Sequence, residues 1–508
     1  MLGSYVFTDP KGELYDATAG YLRDHGYKIK VLNLVKPANS DGYNPLMHVA
    51  SEIDVDVIAN TIVKGQKSDN SSADPFWDDS AEMLLKALIY YLIATRPEEE
   101  QNLASCAELV RAANQSGGSN LLSDLMSQLP YDHPARMNYK SIEIAPEKTY
   151  SSILSTLQSK LGKFDSKEIA ALTSTDTIDF EEIGSEKTAL YVISPDTHTA
   201  YNFLLTIFFA QLINQLYNFA DDNGGKLKVP VYFILDEFAN IGQIPDFDQK
   251  ISTSRRRKIS FSVILQNLDQ LEAIYEKSYE TIMGNCDTHL FLGSNSYKTL
   301  EYFSKALGEK TITRDSISIS KDKDNKKTGK SIGDQVMGRA LMTPDELRRM
   351  DVDDCIIFVK GLRPVKTKKF YYFKHQTMNK ELLRHKVDHN NIEEMERGEW
   401  RKFNPYNPWS EENQNENTND LKVDSLDVLF EDDDKKEPAN VTANAEPKKD
   451  FMDDVKMDVD PKEVLNKVDE KAPILPQDDT YDLEKELEAK FDELFGPFED
   501  DDDDNKDE

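Results

Sequence analysis

Three cysteines, three tryptophans and eight histidines are few for a chain of 508 residues, and what they fail to form narrows the chemistry. Cys106, Cys286 and Cys355 are odd in number, scattered and without a CxxC pair. They read as reduced thiols of a cytosolic protein rather than a disulfide framework or a zinc site. No histidines stand at HExxH spacing, and no Ser or Cys occupies a nucleophile elbow, so zinc-hydrolase and serine-hydrolase readings have no support. Long apolar runs are also missing. Met83–Ala94 and Phe203–Ile213 are the longest, and Lys86 interrupts the first. Both fall short of the ~18–20 residues needed to cross a bilayer and read as buried core helices. The opening MLGSYVFTDPKGE has no charged leader followed by an apolar stretch, so no secretory signal is expected.

A phosphate-binding loop is absent as well. Such a loop is G-x-x-x-x-G-K-[ST] between a strand and a helix. The one GKS is Gly329–Lys330–Ser331, with Asp324 where the first glycine belongs and no buried strand before it. A carboxylate is the wrong group where backbone amides should surround phosphate, so this stretch is rejected as a phosphate loop.

Charge is present but unevenly spread. The net charge is −32, and residues 409–508 hold 36 acidic against 12 basic side chains. That leaves 1–408 near −8, ordinary for a folded protein, so the acidity belongs to the tail. Beyond Pro405 the composition is Asp, Glu, Asn, Lys and Pro with few aromatics, which cannot bury enough apolar surface to offset ordering entropy. The tail, 406–508, is therefore expected to be mostly disordered. Tyr481–Phe495 is an amphipathic helix candidate before the terminal EDDDDDNKDE, readable either as a docking peptide or as a solubilising tail.

The remainder reads as α/β. Ser4–Thr8 is a short strand ending at the turn-forming DPKG, followed by a helix over Leu14–His25 and a strand over Lys28–Leu34. A strand this close to Met1 suggests that the domain starts earlier or that Met1 is not the original start. From 53 to 180 helical periodicity dominates, as in Ser80–Ala94, Leu103–Asn114 and Ser151–Leu161, so an all-α domain is expected between strands of the sheet. Strands resume over Thr188–Ser194, Val229–Leu235, Phe261–Gln266, Thr288–Gly293 and Cys355–Lys360, with helices over Phe203–Phe219 and Leu268–Cys286. Several of these strands are apolar nearly throughout, the pattern of strands covered on both faces, so a mostly parallel sheet is expected. Asp315–Asp334, polar and lysine-rich, reads as a surface loop. The divisions are thus 1–52, 53–180, 181–405 and 406–508.

The strongest local chemistry is VYFILDEFANIG, 231–242. An apolar strand ending in Asp236–Glu237 has the Walker B form. Asp236 at a sheet's carboxyl edge can hold the Mg²⁺ of a nucleotide, directly or through water, and Glu237 can polarise an attacking water. Four apolar residues before two acids also recur by chance, and a strand often simply ends in charge. Next comes STSRRRKISFSVILQNLDQL, 252–271. A guanidinium of Arg255–Arg257 can reach a neighbouring subunit's γ-phosphate, and Gln266 can sense that phosphate. The plainer reading is a basic helix end before an ordinary strand, and the same cations can contact nucleic-acid phosphates.

Taken together, these segments resemble the TraG/TraD family of type IV secretion coupling proteins, in the form found in Gram-positive conjugative elements. Gly3–Leu34 resembles the strand and DPKGE turn downstream of the family's phosphate loop. Tyr43–Leu46 and Asp74–Leu92 resemble the start of its all-α domain, Val231–Gly242 its Walker B segment, and 251–271 its arginine and glutamine motif. Ile282–Asn295 and Gly338–Phe373 resemble its later core segments, so the likeness runs collinearly over about residues 3–375.

The resemblance implies a RecA-like P-loop NTPase core that assembles as a homo-hexamer at the cytoplasmic face of the plasma membrane. It implies ATP and Mg²⁺ as cofactors, and relaxase, relaxosome accessory proteins, single-stranded DNA and secretion-channel proteins as partners. Carried over by position, Asp236 would serve Mg²⁺, Glu237 would activate water, Gln266 would couple the γ-phosphate to motion, and Arg255 or Arg257 would act across the subunit interface. The family's membrane-spanning start and Walker A loop fall before the position of Met1. The chain as written is therefore expected to hydrolyse ATP poorly and, alone, to be soluble and cytoplasmic. The alternatives are a non-catalytic relaxosome adaptor or pseudo-ATPase, and a fragment of an FtsK-like DNA translocase.

Overall fold

The computed structural model describes residues 3–65, 74–115, 121–195, 201–321, 328–403 and 405. All of these fall within one compact unit, Met1–Leu421. The expected tail and its helix at 481–495 lie outside the described residues.

Strand and helix alternate from the first described residues: β1 Ser4–Thr8, α1 Glu13–Asp24 and β2 Lys28–Asn33. Eight helices follow before the next strand: α2 Glu52–Lys64, α3 Pro75–Thr95, α4 Leu103–Gln115, α5 Leu121–Ser127, α6 Pro134–Glu143, α7 Glu147–Leu161, α8 Lys167–Ser174 and α9 Phe180–Ser185. Local chemistry sets their starts. Ser51 and Asp54 form a reciprocal capping box on α2, and Asp74 caps α3 just before Pro75 at its first position. Then come β3 Thr188–Ile193, α10 Asn202–Asp222, β4 Val231–Leu235, α11 Phe247–Thr253, β5 Ile259–Val263, α12 Leu268–Tyr275 and α13 Tyr279–Asn285. The rest is β6 Thr288–Phe291, α14 Tyr297–Leu307, β7 Glu309–Lys321, β8 Thr328–Ala340, α15 Pro344–Arg348, β9 Asp354–Val359, β10 Val365–Lys368 and α16 Gln376–Arg384.

The expected α/β architecture is present. Five strands run parallel in the order β2-β3-β1-β4-β5. Alternation along the strands sends side chains to two cores. Val6, Leu190, Val192 and Phe233 join the large core with α10 and the helical region, while Phe7, Ala189, Tyr191 and Ile193 pack with α1. Both faces of β1 and β3 are thus covered, which is why their sequences lack alternation.

Three expectations change. Thr288–Gly293 and Cys355–Lys360 do form strands, but they sit in a separate antiparallel sheet, order β10-β9-β6. An apolar run reports burial and not the direction of its neighbour. The segment read as a surface loop, Asp315–Asp334, lies largely within a long antiparallel hairpin, β7 paired to β8 from Glu309↔Ala340 to Lys321↔Thr328. Lysine-rich composition points to a loop, whereas the short period-two alternation in SISIS, 316–320, carries the strand signal. The helix over Leu268–Cys286 is broken: α12 ends at Tyr275, and α13 begins at Tyr279 after Glu276 takes a left-handed φ of 45°.

Among the described residues one helix, α10, is long and apolar enough to cross a membrane by length and composition. Of its apolar window 72% is buried against the rest of the chain, which identifies a core helix.

The helical region leaves the sheet and returns at one place. The Gly42 amide donates to Thr177 Oγ1 and the Thr177 amide to the Gly42 carbonyl, both at 3.0 Å. A Cβ on Gly42 would meet Thr175 atoms at 2.5 and 2.6 Å, so a side chain there would force the two crossings apart. An extended strap over 385–403 closes the described chain. It runs from α1, where the Val387 amide donates to Asp16, past Ala38, to the helical region, where the Arg401 amide donates to Glu99 and that of Phe403 to Ser105. Trp400 and Phe403 pack against the large core.

Candidate nucleotide site at the carboxyl edge of the sheet

Parallel pairing brings the carboxyl ends of β1, β4 and β5 side by side: Thr8 aligns with Leu235, and Leu235 with Val263. The next residues along these strands therefore leave the sheet together at one edge. They are Asp9 after β1 and Asp236–Glu237 after β4. After β5 the strand stops at Val263, so Gln266, expected at its end, lies in the connection to α12.

The turn after β4 is fixed by its neighbours. Thr8 Oγ1 donates to the Asp236 carbonyl at 2.7 Å, the Ile264 amide to the Leu235 carbonyl at 3.0 Å, and the Phe238 amide to the Ile264 carbonyl at 3.1 Å. Glu237 takes a left-handed conformation, φ 47° and ψ 49°, which costs a non-glycine residue about 1–2 kcal/mol. Buried Phe238, packed on Phe247 and Tyr275, and the Asn240 side chain hold that conformation. Asn240 Nδ2 donates to Glu237 Oε2 at 2.8 Å, while Gln266 Nε2 reaches Glu237 Oε1 at 3.5 Å. Asp236 Oδ1 accepts from the Glu237 amide at 3.1 Å. Both carboxylates are half-buried, and neither has a cationic partner among the described residues.

Asp9 enters the sequence reading only as part of a turn. The residue is 2% exposed, and its carboxyl accepts from the Tyr15 amide at 2.7 Å, at the start of α1. Burial raises its pKa above the usual carboxylate value, against the pull of the α1 amides. The available signal is an acid at the end of a buried strand, the same pattern that marks Asp236.

The arginines are elsewhere. Arg255–Arg257 precede β5 and so stand at its amino end, opposite Asp236, Glu237 and Gln266. Arg257 forks onto Asp221 with bonds of 3.0 and 2.7 Å, and its guanidinium lies 4.5 Å from the Tyr217 ring centre. Arg255 is 92% exposed, with one long contact to Asp287 at 3.5 Å. Gly329–Lys330–Ser331 lies inside β8, paired to β7. Among the described residues the one cluster of three potential metal-ligating side chains is Asp16, Asp388 and His389, where the strap meets α1.

Against this geometry, the family described as type IV secretory system conjugative DNA transfer matches residues 1–394. The chain belongs to that family. Conjugal transfer protein TraG of Escherichia coli is 26% identical over 412 residues, covering 73% of this chain and 63% of TraG. Protein VirD4 of Rhizobium radiobacter is 24% identical over 403 residues, covering 74% of this chain and 54% of VirD4. The chain thus spans just under two thirds of the one relative and about half of the other. Plasmid coupling protein TrwB, solved in complex with the non-hydrolysable GTP analogue GDPNP, is 14% identical with a TM-score of 0.47, covering 72% of this chain and 85% of TrwB. Membership extends the likeness read from individual motifs to almost all of the described residues, from β1 through the strap's contact with α1.

Proposed function

We propose that the chain is the motor part of a conjugative coupling protein that binds Mg²⁺–ATP at the carboxyl edge of its parallel sheet. It uses hydrolysis to pass relaxase-bound single-stranded DNA to the secretion channel. The observation that carries this reading is the Asp236–Glu237 pair: two carboxylates without a cationic partner among the described residues, one of them in a left-handed turn with Gln266 in reach. Strain of this kind persists where the surroundings over-determine it, and it clusters at functional sites. Asp236 would take Mg²⁺, whose remaining ligands are water and phosphate oxygens. Glu237 would orient and deprotonate the attacking water, and Gln266 would report the γ-phosphate to the β5–α12 connection.

The phosphates need a cradle, and the sheet has room for one. β5 is the last strand in the order, and half-buried Phe261 and Val263 continue into Ile264, which is 41% exposed. A parallel strand added at this outer edge and ending in a glycine-rich loop would bring backbone amides beside Gln266. Arg255, exposed and weakly held, is the better candidate for reaching a neighbouring subunit in a homo-hexamer. Arg257 serves Asp221.

Glu237→Gln at the native locus, read by conjugative transfer frequency, tests the reading. Transfer is expected to drop about a hundredfold or more, the scale of losing a positioned base. Unchanged transfer by the Glu237→Gln strain, combined with loss of transfer on deleting the gene, would support the non-catalytic adaptor instead.

A further inference from the structure

The segment after β9 departs from the usual design of a protein surface. All four residues of β10 are exposed, and β10 is the edge strand of its sheet. It runs into Lys369–Phe370–Tyr371–Tyr372–Phe373–Lys374–His375, where Phe370 is 72% exposed, Phe373 53% and Tyr372 45%. Monomer surfaces rarely show large aromatic rings so close together without a use for them.

The rings are held in place. Tyr371 donates to Asp353 Oδ1 at 3.0 Å, and Lys374 Nζ lies 4.1 Å from its ring centre. The Phe373 ring centre is 5.3 Å from that of Tyr371 and 5.7 Å from that of Tyr372. A cleft of about 380 Å³ opens here, walled by Phe370 and Tyr371, by Lys368, Lys369, Lys374 and His375, and by Asp353.

Cations surround the rings. Lys366 and Lys368 both pair with Asp354, at 2.9 and 2.7 Å, and Lys368 also lies 3.9 Å from Asp351. Lys369 and Lys374 have no carboxylate partner among the described residues. The carboxylates at this end of β10 are Asp351, Asp353 and Asp354, so the four lysines leave a small positive excess.

Lysine is depleted at the centres of protein interfaces, whereas exposed aromatic rings interleaved with lysine are the standard means of holding an unpaired strand: bases stack on the rings and phosphates meet the cations. We propose that the surface formed by Lys369, Phe370, Phe373 and Lys374 binds single-stranded DNA by base stacking and phosphate contact, without reading its sequence. The proposal deepens the coupling-protein reading by naming a surface for its DNA, and it rests on that reading.

The test is fluorescence anisotropy of the full chain with a labelled oligodeoxythymidine, over a range of salt. Phe370→Ala combined with Phe373→Ala is expected to weaken binding about ten- to a hundredfold, the scale of losing one or two stacked bases. Lys369→Gln combined with Lys374→Gln is expected to lower the slope of log affinity against log salt by about 0.7 for each cation removed. Iododeoxyuridine in the oligonucleotide should crosslink within Phe370–Phe373. All four substituted positions are exposed or half-exposed, so circular dichroism should be unchanged in both variants. Equal binding by wild type and both variants would overturn the surface and leave the Glu237 result untouched. So would a duplex that binds as well as the single strand and loses nothing with the phenylalanines. If the phenylalanine variant instead dissociates an oligomer in sedimentation and keeps its DNA affinity, the rings belong to a contact between copies and the proposal fails. No binding by wild type also overturns it, and the transfer assay then decides the coupling-protein reading on its own.

Discussion

At the carboxyl end of β4 and β5, Asp236 and Glu237 accept hydrogen bonds from neutral groups alone; at the amino end of β5, Arg257 is locked to Asp221 by two charge-assisted bonds. Each end also carries a residue in left-handed conformation, Glu237 at φ 47° and Lys258 at φ 63°. The two ends are therefore alike in backbone strain and opposite in electrostatics. Charges that satisfy each other are finished structure. Half-buried carboxylates without a cation lose part of their hydration with only neutral hydrogen bonds in return, which is tolerable where a ligand supplies the missing charge.

The sharpest way to break this contrast is chemical. Glu237→Gln and Asp236→Asn should each reduce conjugative transfer about a hundredfold or more while leaving denaturant stability near wild type. Arg257→Ala and Asp221→Ala should instead cost stability, about 1 kcal/mol, with a coupling of the same order in a double-mutant cycle, because the pair is partly exposed. An additive cycle would mean that the amino end is no more self-satisfied than the carboxyl end. The strain comparison predicts smaller effects. Lys258→Gly and Glu237→Gly should each gain up to about 1 kcal/mol in urea unfolding, as relief of the left-handed penalty exceeds the added entropy of the unfolded chain. Only the second should abolish transfer.

Asp9 gives the gentlest test. Its pKa is raised by burial above 3.8, so the folded state holds its proton more tightly than the unfolded state. Stability from this group is fully present below 3.8 and is lost as pH rises through the raised folded value. Asp9→Asn should remove that loss: the wild type's stability relative to the variant should decline from pH 3.8 upward and then level off. A difference independent of pH would mean that burial does not raise the Asp9 pKa in the fold.

Much of this is legible in the sequence. The apolar runs that become β1, β3 and β4, and the acid pair after β4, are visible because strands covered on both faces must be continuously apolar and must end where solvent begins. What stays hidden depends on partners distant in sequence. Nothing in CIIFVK says that β9 pairs antiparallel to β6 and β10, and composition conceals the alternation of β7. The arginine and glutamine motif reads as one unit along the chain, yet β5 runs through its middle and carries its halves to opposite ends of the sheet. The left-handed turn at Glu237 has no glycine to announce it, and the strap over 385–403 has no periodicity to find.

The stitched crossing at Gly42 and Thr177 has an evolutionary side. Because the helical region departs and returns through one point, its parts away from the face packed on α10 can change without altering the register of the five strands. It is placed to be exchanged between lineages as a cassette, provided Gly42 is kept. The strap sets the second condition. A transplanted cassette must also present a socket for Trp400 and Phe403, so the last described residues of the chain and its helical region are expected to be inherited together.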